Sequence, residues 1–167
     1  FTDVGAYEPI FAPNTTATYS GYWVQKNSSN QLEFIWGDDS GAGSNDRKSM
    51  IGDTVFSADT WYFVCITTTF ILDAGGTKIY VNNGGTTSDG ITADGGASVT
   101  TPTYASDGLA YIGREDFTTT NYGGVFKMRN IAVWQGVLNE ANITALYSSG
   151  SYFSWASNSG IIHITKF

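Results

Sequence analysis

The stretch VFKMRNIAVWQGVLNEANITALYSSG, residues 125–150, decides the fold because it joins a strand pattern to a short capped helix. Side chains over 125–134 alternate with a period of two, and both faces are partly apolar near the end, which is typical of a sandwich strand. Asn139 then offers an N-cap oxygen, and Glu140 lies favourably against the dipole of the following helix. Gly150 stands where that helix is expected to stop. The stretch therefore predicts one strand followed by one short helix.

The chain before this stretch is typical of strands separated by turns. Segments 17–26 and 32–36 flank the turn-rich NSSN and predict an antiparallel hairpin. We expect short strands at RKSMI and at TVF, and two long apolar strands, 60–69 and 76–84, around a DAGG turn. These two long strands are predicted to form the apolar centre of the domain.

The remaining segments complete the pattern. Residues 84–108 are rich in glycine and Asp-Gly steps, which favours a long loop with one short strand at 98–104. IIHITKF, residues 161–167, alternates in two apolar faces and predicts a last strand. We find no internal repeat and no coiled-coil heptad. The sequence predicts a two-sheet antiparallel sandwich.

Several of these segments carry a family resemblance. IAVWQGVLNEANITALYSSG resembles the closing strand and helix of concanavalin A-like jelly rolls, in particular the laminin-G-like and pentraxin-like branch. Segments 17–26, 60–69, 76–84 and 109–114 also fall in that family's order. The resemblance implies an all-β jelly-roll sandwich with one short helix near the C-terminus. With 167 residues, we expect a single lectin-like domain over 1–167 that is part of a longer protein.

Composition narrows the classes of partner. Hydrophobic residues make up 41% of the chain, enough for a core without metals or disulfides, and Cys65 is expected to be a small buried thiol. Charged residues make up only 14%, and Thr, Ser, Gly and Asn are abundant, which favours an extracellular, cell-surface or virion-surface location. The net charge of -7, without a basic stripe, argues against nucleic acid. The longest apolar run is too short for membrane insertion.

The sequence lacks the usual signs of an active site. Glycosidases on this fold use paired carboxylates, commonly in an E-x-D-x-x-E strand, and that pattern is absent. Glu33 with Asp38 or Asp39 is a candidate pair, although a solvent-facing acid beside an acidic turn explains Glu33 as well. His163, the only histidine, lies on a half-apolar strand without lyase motifs around it. We predict a non-catalytic protein, with a polysaccharide-degrading enzyme as an alternative.

An acidic loop in the sequence predicts a calcium site. DDSGAGSND, residues 38–46, offers carboxylate and amide oxygens of the kind that Ca²⁺ prefers, on a chain that its glycines allow to turn inward. The predicted ligands are Asp38, Asp39, Asn45 and Asp46. A solvated polar turn is the alternative, since Asp and Gly are also good turn formers.

Aromatic residues outside the strand cores predict a sugar site. Protein sites bind the apolar face of a pyranose ring with an aromatic side chain, while polar groups fix the hydroxyls. Trp61 and Trp134 are interpreted as core residues of their strands. The predicted ligand-binding residues are Trp36, Tyr104, Tyr122 and Trp155.

The function predicted from these features is carbohydrate recognition. We expect a lectin-like recognition or adhesion module of a secreted, cell-surface or virion protein of the phage tail or fibre type, assisted by calcium. Its partners are glycans or a surface receptor. A structural or assembly domain of a virion or surface layer, forming a homo-oligomer, is an alternative. Three N-glycosylation sequons begin at Asn14, Asn27 and Asn142.

Overall fold

The computed structural model describes residues 7–13, 20–38, 47–69, 76–82, 91–95, 110–117, 120–123, 126–128, 131–134, 136–148 and 161–165. These residues form mainly strands. The elements are β1 (Glu8–Pro13), β2 (Ser20–Lys26), β3 (Gln31–Asp38), β4 (Arg47–Val55), β5 (Phe63–Thr68), β6 (Thr77–Asn82), β7 (Ile91–Gly95), β8 (Ala110–Ile112), β9 (Arg114–Phe117), β10 (Thr120–Gly123), β11 (Ile131–Trp134), α1 (Glu140–Ser148) and β12 (Ile161–Thr165).

A six-stranded antiparallel sheet organises the domain. Its strand order is β7-β4-β3-β2-β1-β8, and the pairs β5–β6, β9–β10 and β11–β12 are also antiparallel. Alternate residues of β3, namely Leu32, Phe34 and Trp36, point to the inner face of the sheet and are buried there. Ile79 and Val81 of β6 pack against them. The predicted all-β antiparallel sandwich is confirmed.

The short helix α1 covers the other side of the β5–β6 pair. Ile143 is fully buried in a cluster with Cys65 of β5 and Tyr80 of β6. The rings of Phe63 and Tyr147 meet edge to face, with centroids 5.6 Å apart. Strand β6 is therefore buried on both faces, between the large sheet and the helix.

The first predicted hairpin is confirmed. Strands β2 and β3 pair from Lys26 opposite Leu32 to Ser20 opposite Asp38. The turn between them is held by the Asn27 side chain, whose Oδ1 accepts hydrogen bonds from the backbone N of Ser29 and Gln31. Asn30 completes the turn with a left-handed φ of 61°, a conformation that Asn tolerates better than most residues.

The predicted helix and its cap are also confirmed, although the strand before them is shorter than predicted. Asn139 Oδ1 accepts a hydrogen bond from the backbone N of Asn142 at 2.9 Å, as an N-cap residue does. Among the described residues of the predicted strand 125–134, Ile131–Trp134 is β-structure and residues 126–128 are irregular. The predicted last strand is present as β12, which pairs with β11.

Five strands depart from the sequence-based prediction. Strand β1, whose EPIFAP sequence carries two prolines, and strands β9 and β10 are not among the predicted strands, so Tyr122 lies in a strand and not in a connection. Segment RKSMI and the first two residues of TVF form one continuous strand, β4, although Gly and Asp separate the two apolar parts. Residues 91–95 pair with β4 inside the predicted loop 84–108. The predicted strand at 98–104 lies outside the described residues, as does most of the DAGG turn.

Candidate functional site

The structure places few of the predicted site residues. Asp38 ends β3 and Tyr122 lies in β10, and the structure describes the backbone of both. Five of the predicted site residues lie outside the described part of the chain: Tyr104, Trp155, Asp39, Asn45 and Asp46.

Trp36 does not have the exposure that was expected of a sugar platform. Its side chain is fully buried on the inner face of β3, and its ring centroid lies 5.5 Å from that of Phe34. A ring that stacks on a sugar must expose one face to solvent, and the buried Trp36 ring exposes neither. In this fold Trp36 is a core residue, as the alternation with Leu32 and Phe34 explains.

A different set of apolar side chains is exposed at one end of the large sheet. Strands β1 and β3 begin at this end and β2 and β4 finish there, as shown by the registers Glu8 opposite Lys26 and Gln31 opposite Val55. Three large side chains at this end keep half or more of their surface in solvent: Tyr7 at 50%, Val55 at 58% and Trp61 at 52%. We call this region the aromatic end.

Trp61 lies on a segment, residues 56–62, that is fixed at several points. The backbone N of Phe56 donates a hydrogen bond to the carbonyl of Asn30 at 2.7 Å. The backbone N of Ser57 donates to the Tyr62 hydroxyl at 3.0 Å, and the Phe56 and Tyr62 rings meet edge to face at 4.8 Å. Phe56 itself is buried in the main core. These contacts anchor both flanks of the turn, so Trp61 is presented from an ordered backbone.

This placement corrects the interpretation of Trp61 as a core residue. The strand that was expected over 60–69 begins only at Phe63, and Trp61 precedes it. The segment SADT, which contains the turn formers Ser57 and Asp59, comes directly before Trp61, and Asp59 has a left-handed φ of 55°. That turn chemistry was the signal that could have placed the tryptophan at a strand entry rather than inside the strand.

The exposed charges at the aromatic end are acidic among the described residues. Asp53, near the end of β4, and Asp59, in the turn before Trp61, are both exposed. The cation at this end, Lys26, is fully buried, and its Nζ donates a hydrogen bond to Asn30 Oδ1 at 3.1 Å. Lys26 therefore stabilises the hairpin turn and does not offer its charge to an external ligand.

The two residues that flank the acidic loop proposed for calcium, Asp38 and Arg47, lie at the opposite end of the same sheet, where Gly37 pairs with Arg47. Residues 39–46 between them lie outside the described residues. Strand β3 begins at the aromatic end with Gln31 and runs to Asp38. At about 3.3 Å per residue, the two ends of this strand are roughly 23 Å apart. Within the described ranges, no three His, Cys, Asp or Glu side chains are grouped to hold a metal ion.

Cys65 lies in a setting that suppresses thiol chemistry. It is buried between β5–β6 and α1, and this burial raises its pKa to about 11. Because the thiolate is the nucleophilic form, a thiol with this pKa is a poor nucleophile near neutral pH. This agrees with the prediction of a small buried thiol.

In the part of the chain that the structure describes, no helix is long and apolar enough to cross a membrane.

Two antiparallel layers with a short helix packed outside define a sandwich of the concanavalin A-like class. The comparison with protein families gives the same result: a laminin-G family model, described as the concanavalin A-like lectin/glucanases superfamily, matches residues 1–144. The chain belongs to this family. None of the curated proteins and none of the solved structures compared with the chain matches it.

Proposed function

We propose that this protein is a non-catalytic carbohydrate-recognition module and that Trp61 is the aromatic platform of its binding site. The observation that carries the proposal is the half-exposed Trp61 ring on a backbone segment anchored at both flanks. Sugar sites use an aromatic face for the apolar side of the pyranose ring, and an ordered backbone lowers the entropy cost of binding. Membership of a lectin-like family supports the same function.

Polar groups lie around the aromatic end. The hairpin turn places the exposed Ser28 and Ser29 at the ends of β2 and β3, next to the carbonyl of Asn30 to which Phe56 is bonded. Hydroxyl groups both donate and accept hydrogen bonds, which suits the mixed chemistry of sugar hydroxyls. An aromatic ring with a hydroxyl-bearing turn nearby supports a sugar ligand over a purely apolar one.

The proposal extends to the setting of the protein. The composition, poor in charge and rich in Thr, Ser and Gly, supports a secreted, cell-surface or virion protein whose partner is a glycan or a glycosylated receptor. The absence of an E-x-D-x-x-E strand supports recognition without cleavage. Calcium binding at Asp38, Asp39, Asn45 and Asp46 remains a separate proposal.

A glycan array with the wild-type protein, Trp61→Phe and Trp61→Ala tests this function. Phe retains a ring for stacking, so Trp61→Phe should retain part of the signal, whereas Trp61→Ala should lose most of it. Val137→Ala, which truncates a side chain that is 55% exposed before α1, is the matched control for losing exposed apolar surface elsewhere. Equal glycan signals for the wild type and Trp61→Ala would contradict the proposal.

A structural or assembly role is the second candidate, favoured by a separate observation. Strand β8 is an edge of the six-stranded sheet as described, and Ile112 on it is 44% exposed. An apolar residue on an edge strand favours pairing with another strand, including one from a second copy of the chain. Sedimentation velocity with the wild type and Ile112→Lys distinguishes this role, since an oligomer that Ile112→Lys dissociates is expected only from assembly.

A further inference from the structure

We propose that helix α1 is a lid on the β5–β6 pair, which opens and closes while the rest of the fold stays intact. Its opening uncovers the apolar face that α1 covers, formed by Phe63, Cys65 and Tyr80. The proposal is independent of the role assigned to Trp61. It follows from how α1 is connected to its flanking strands, from the contacts that hold it and from the helix itself.

The two strands that flank α1 along the chain pair with each other. Strand β11 precedes the helix and β12 follows it, and Trp134 at the end of β11 pairs with Ile161 at the start of β12. Among the described strands, this pair and the β5–β6 pair belong to different sheets. The connection that contains α1 is therefore held together at its two ends by hydrogen bonds that do not depend on where α1 lies. The helix can leave β5–β6 without breaking them.

The segment between β11 and α1 offers a hinge. Gly136 is exposed and has a left-handed φ of 97°, and a Cβ built on it would meet no described atom within 4 Å. Val137 is 55% exposed, and Asn139 is exposed as well. Leu138, between them, packs against the cluster beneath the helix and belongs to the lid. Backbone rotation at Gly136 therefore meets little steric resistance.

The described contacts of α1 centre on one side chain. Ile143 is the buried residue of the helix, while Leu146 and Tyr147 are partly buried. The ion pair between Lys78 Nζ and Glu140 Oε1 spans 3.6 Å, and the two side chains are 37% and 67% exposed. Because water and salt screen an exposed pair of this kind, it adds little to the docking of the helix. The closed position thus depends mainly on the burial of Ile143.

The helix supplies little stability of its own. It has nine residues, whereas isolated helices shorter than about 12–15 residues are marginal in water. Asn142 and Thr144 within it are weak helix formers. The other face of β6 is held differently, since Ile79 and Val81 belong to the main core, a cluster of seven buried residues. Local opening begins at the smaller apolar contact, which is the one beneath α1.

Thiol labelling of the folded protein tests the lid, because Cys65 is buried beneath it. Ellman's reagent (DTNB) reacts with the thiolate, and burial raises the pKa of Cys65 to about 11, so the closed form reacts slowly at about pH 8. The labelling rate is measured at urea concentrations below the unfolding transition and compared with the rate that global unfolding alone allows. We expect the wild type to react at least about tenfold faster than that limit, with little dependence on urea.

Substitutions separate opening of the lid from a general loss of stability. Ile143→Ala removes the buried contact of α1 and should accelerate labelling at least about tenfold, and the milder Ile143→Val should accelerate it less. Thr144→Ala raises helix propensity at an exposed position and should slow labelling about two- to threefold. Met50→Ala is the matched control, because Met50 is 1% exposed in the main core. It should lower global stability and leave the rate at low urea within about twofold of the wild type.

The outcomes decide the proposal even if Ile143→Ala does not fold, since Ile143→Val and Thr144→Ala change the rate in opposite directions. A wild-type rate that follows global unfolding, in size and in urea dependence, overturns the lid. An acceleration by Met50→Ala equal to that of the Ile143 variants also overturns it, as does a rate that Thr144→Ala leaves unchanged. Fast labelling at low urea that the Ile143 variants accelerate and Thr144→Ala slows is the result that the lid predicts.

Discussion

Glu8 and Lys26 stand directly opposite each other on neighbouring strands β1 and β2, and both side chains are buried, at 2% and 0% exposure. Opposite charges at facing positions of an antiparallel pair attract, and burial strengthens the attraction while it removes hydration. The two residues lie beneath the aromatic end, where Lys26 also donates to Asn30 of the hairpin turn. The placement of the turn thus depends on a charged group inside the fold.

The first prediction concerns these two facing residues. Lys26→Met should lower the free energy of unfolding by about 1–3 kcal/mol, because it removes the buried donor to Asn30 Oδ1 and the opposite charge that faces Glu8. Lys26→Met combined with Glu8→Leu should recover most of that loss, since both charges are then removed. Urea denaturation of the wild type, both single variants and the double variant gives the coupling energy. Additive losses in the double variant would contradict the pairing.

The second prediction concerns the Asn27 side chain. Asn27→Ala removes the acceptor for the backbone N of both Ser29 and Gln31, so unfolding free energy should fall by about 1–2 kcal/mol. Ser28→Ala changes an exposed side chain in the same turn and should cost less than about 0.5 kcal/mol. Thermal and urea unfolding compare the two. Similar losses for both variants would mean that the Asn27 amide does not organise the turn.

The third prediction concerns stability at alkaline pH. The folded Cys65 thiol keeps its proton up to a pKa of about 11, whereas in the unfolded chain it loses the proton near its ordinary value of 9.0. The folded state therefore binds more protons in this interval, so stability is full below pH 9 and falls as pH rises towards 11, by up to about 3 kcal/mol. Burial raises the pKa of Tyr22 and Tyr80 as well, which acts in the same direction at higher pH.

Cys65→Ala provides the control for that pH dependence. Without the thiol, the unfolding free energy should decline less between pH 9 and pH 11 than in the wild type, although the variant starts from a lower stability at pH 7. Urea unfolding at several pH values measures both slopes. Parallel slopes in wild type and variant would show that the buried thiol does not cause the decline.

The fourth prediction concerns helix α1. Ile143 is fully buried against Cys65 and Tyr80, so Ile143→Ala should cost about 2–4 kcal/mol of unfolding free energy. Val137→Ala, an exposed position just before the helix, should change stability by less than about 0.5 kcal/mol. Urea unfolding checks both variants. A small loss for Ile143→Ala would contradict the packing of α1 on β5–β6.

Local patterns predicted those elements whose determinants are themselves local. The NSSN turn between two apolar segments predicted the β2–β3 hairpin, and Asn139 before an apolar helical pattern predicted the start of α1. Strand β7 escaped prediction because its ITADG sequence carries turn-forming residues, and only its pairing with β4 makes it a strand.

The candidate site was less predictable because exposure depends on contacts distant in sequence. Trp36 borders an acidic loop in the sequence, yet the covering strand β6, more than forty positions later, buries it. Trp61 sits in an apolar run, yet the hydrogen bond from Ser57 to Tyr62 fixes it outside the strand. The neighbouring residues in the sequence therefore led to the wrong prediction of exposure for both tryptophans: Trp36 is buried and Trp61 is exposed.

Isothermal titration of the wild type and Trp61→Ala with the oligosaccharide that binds best on the array tests the central claim most directly. Stacking on Trp61 predicts that Kd rises at least tenfold in Trp61→Ala, which corresponds to about 1.4 kcal/mol or more, while the melting temperature stays close to that of the wild type. Equal Kd values for the two proteins would contradict the assignment of Trp61 as the sugar-binding platform.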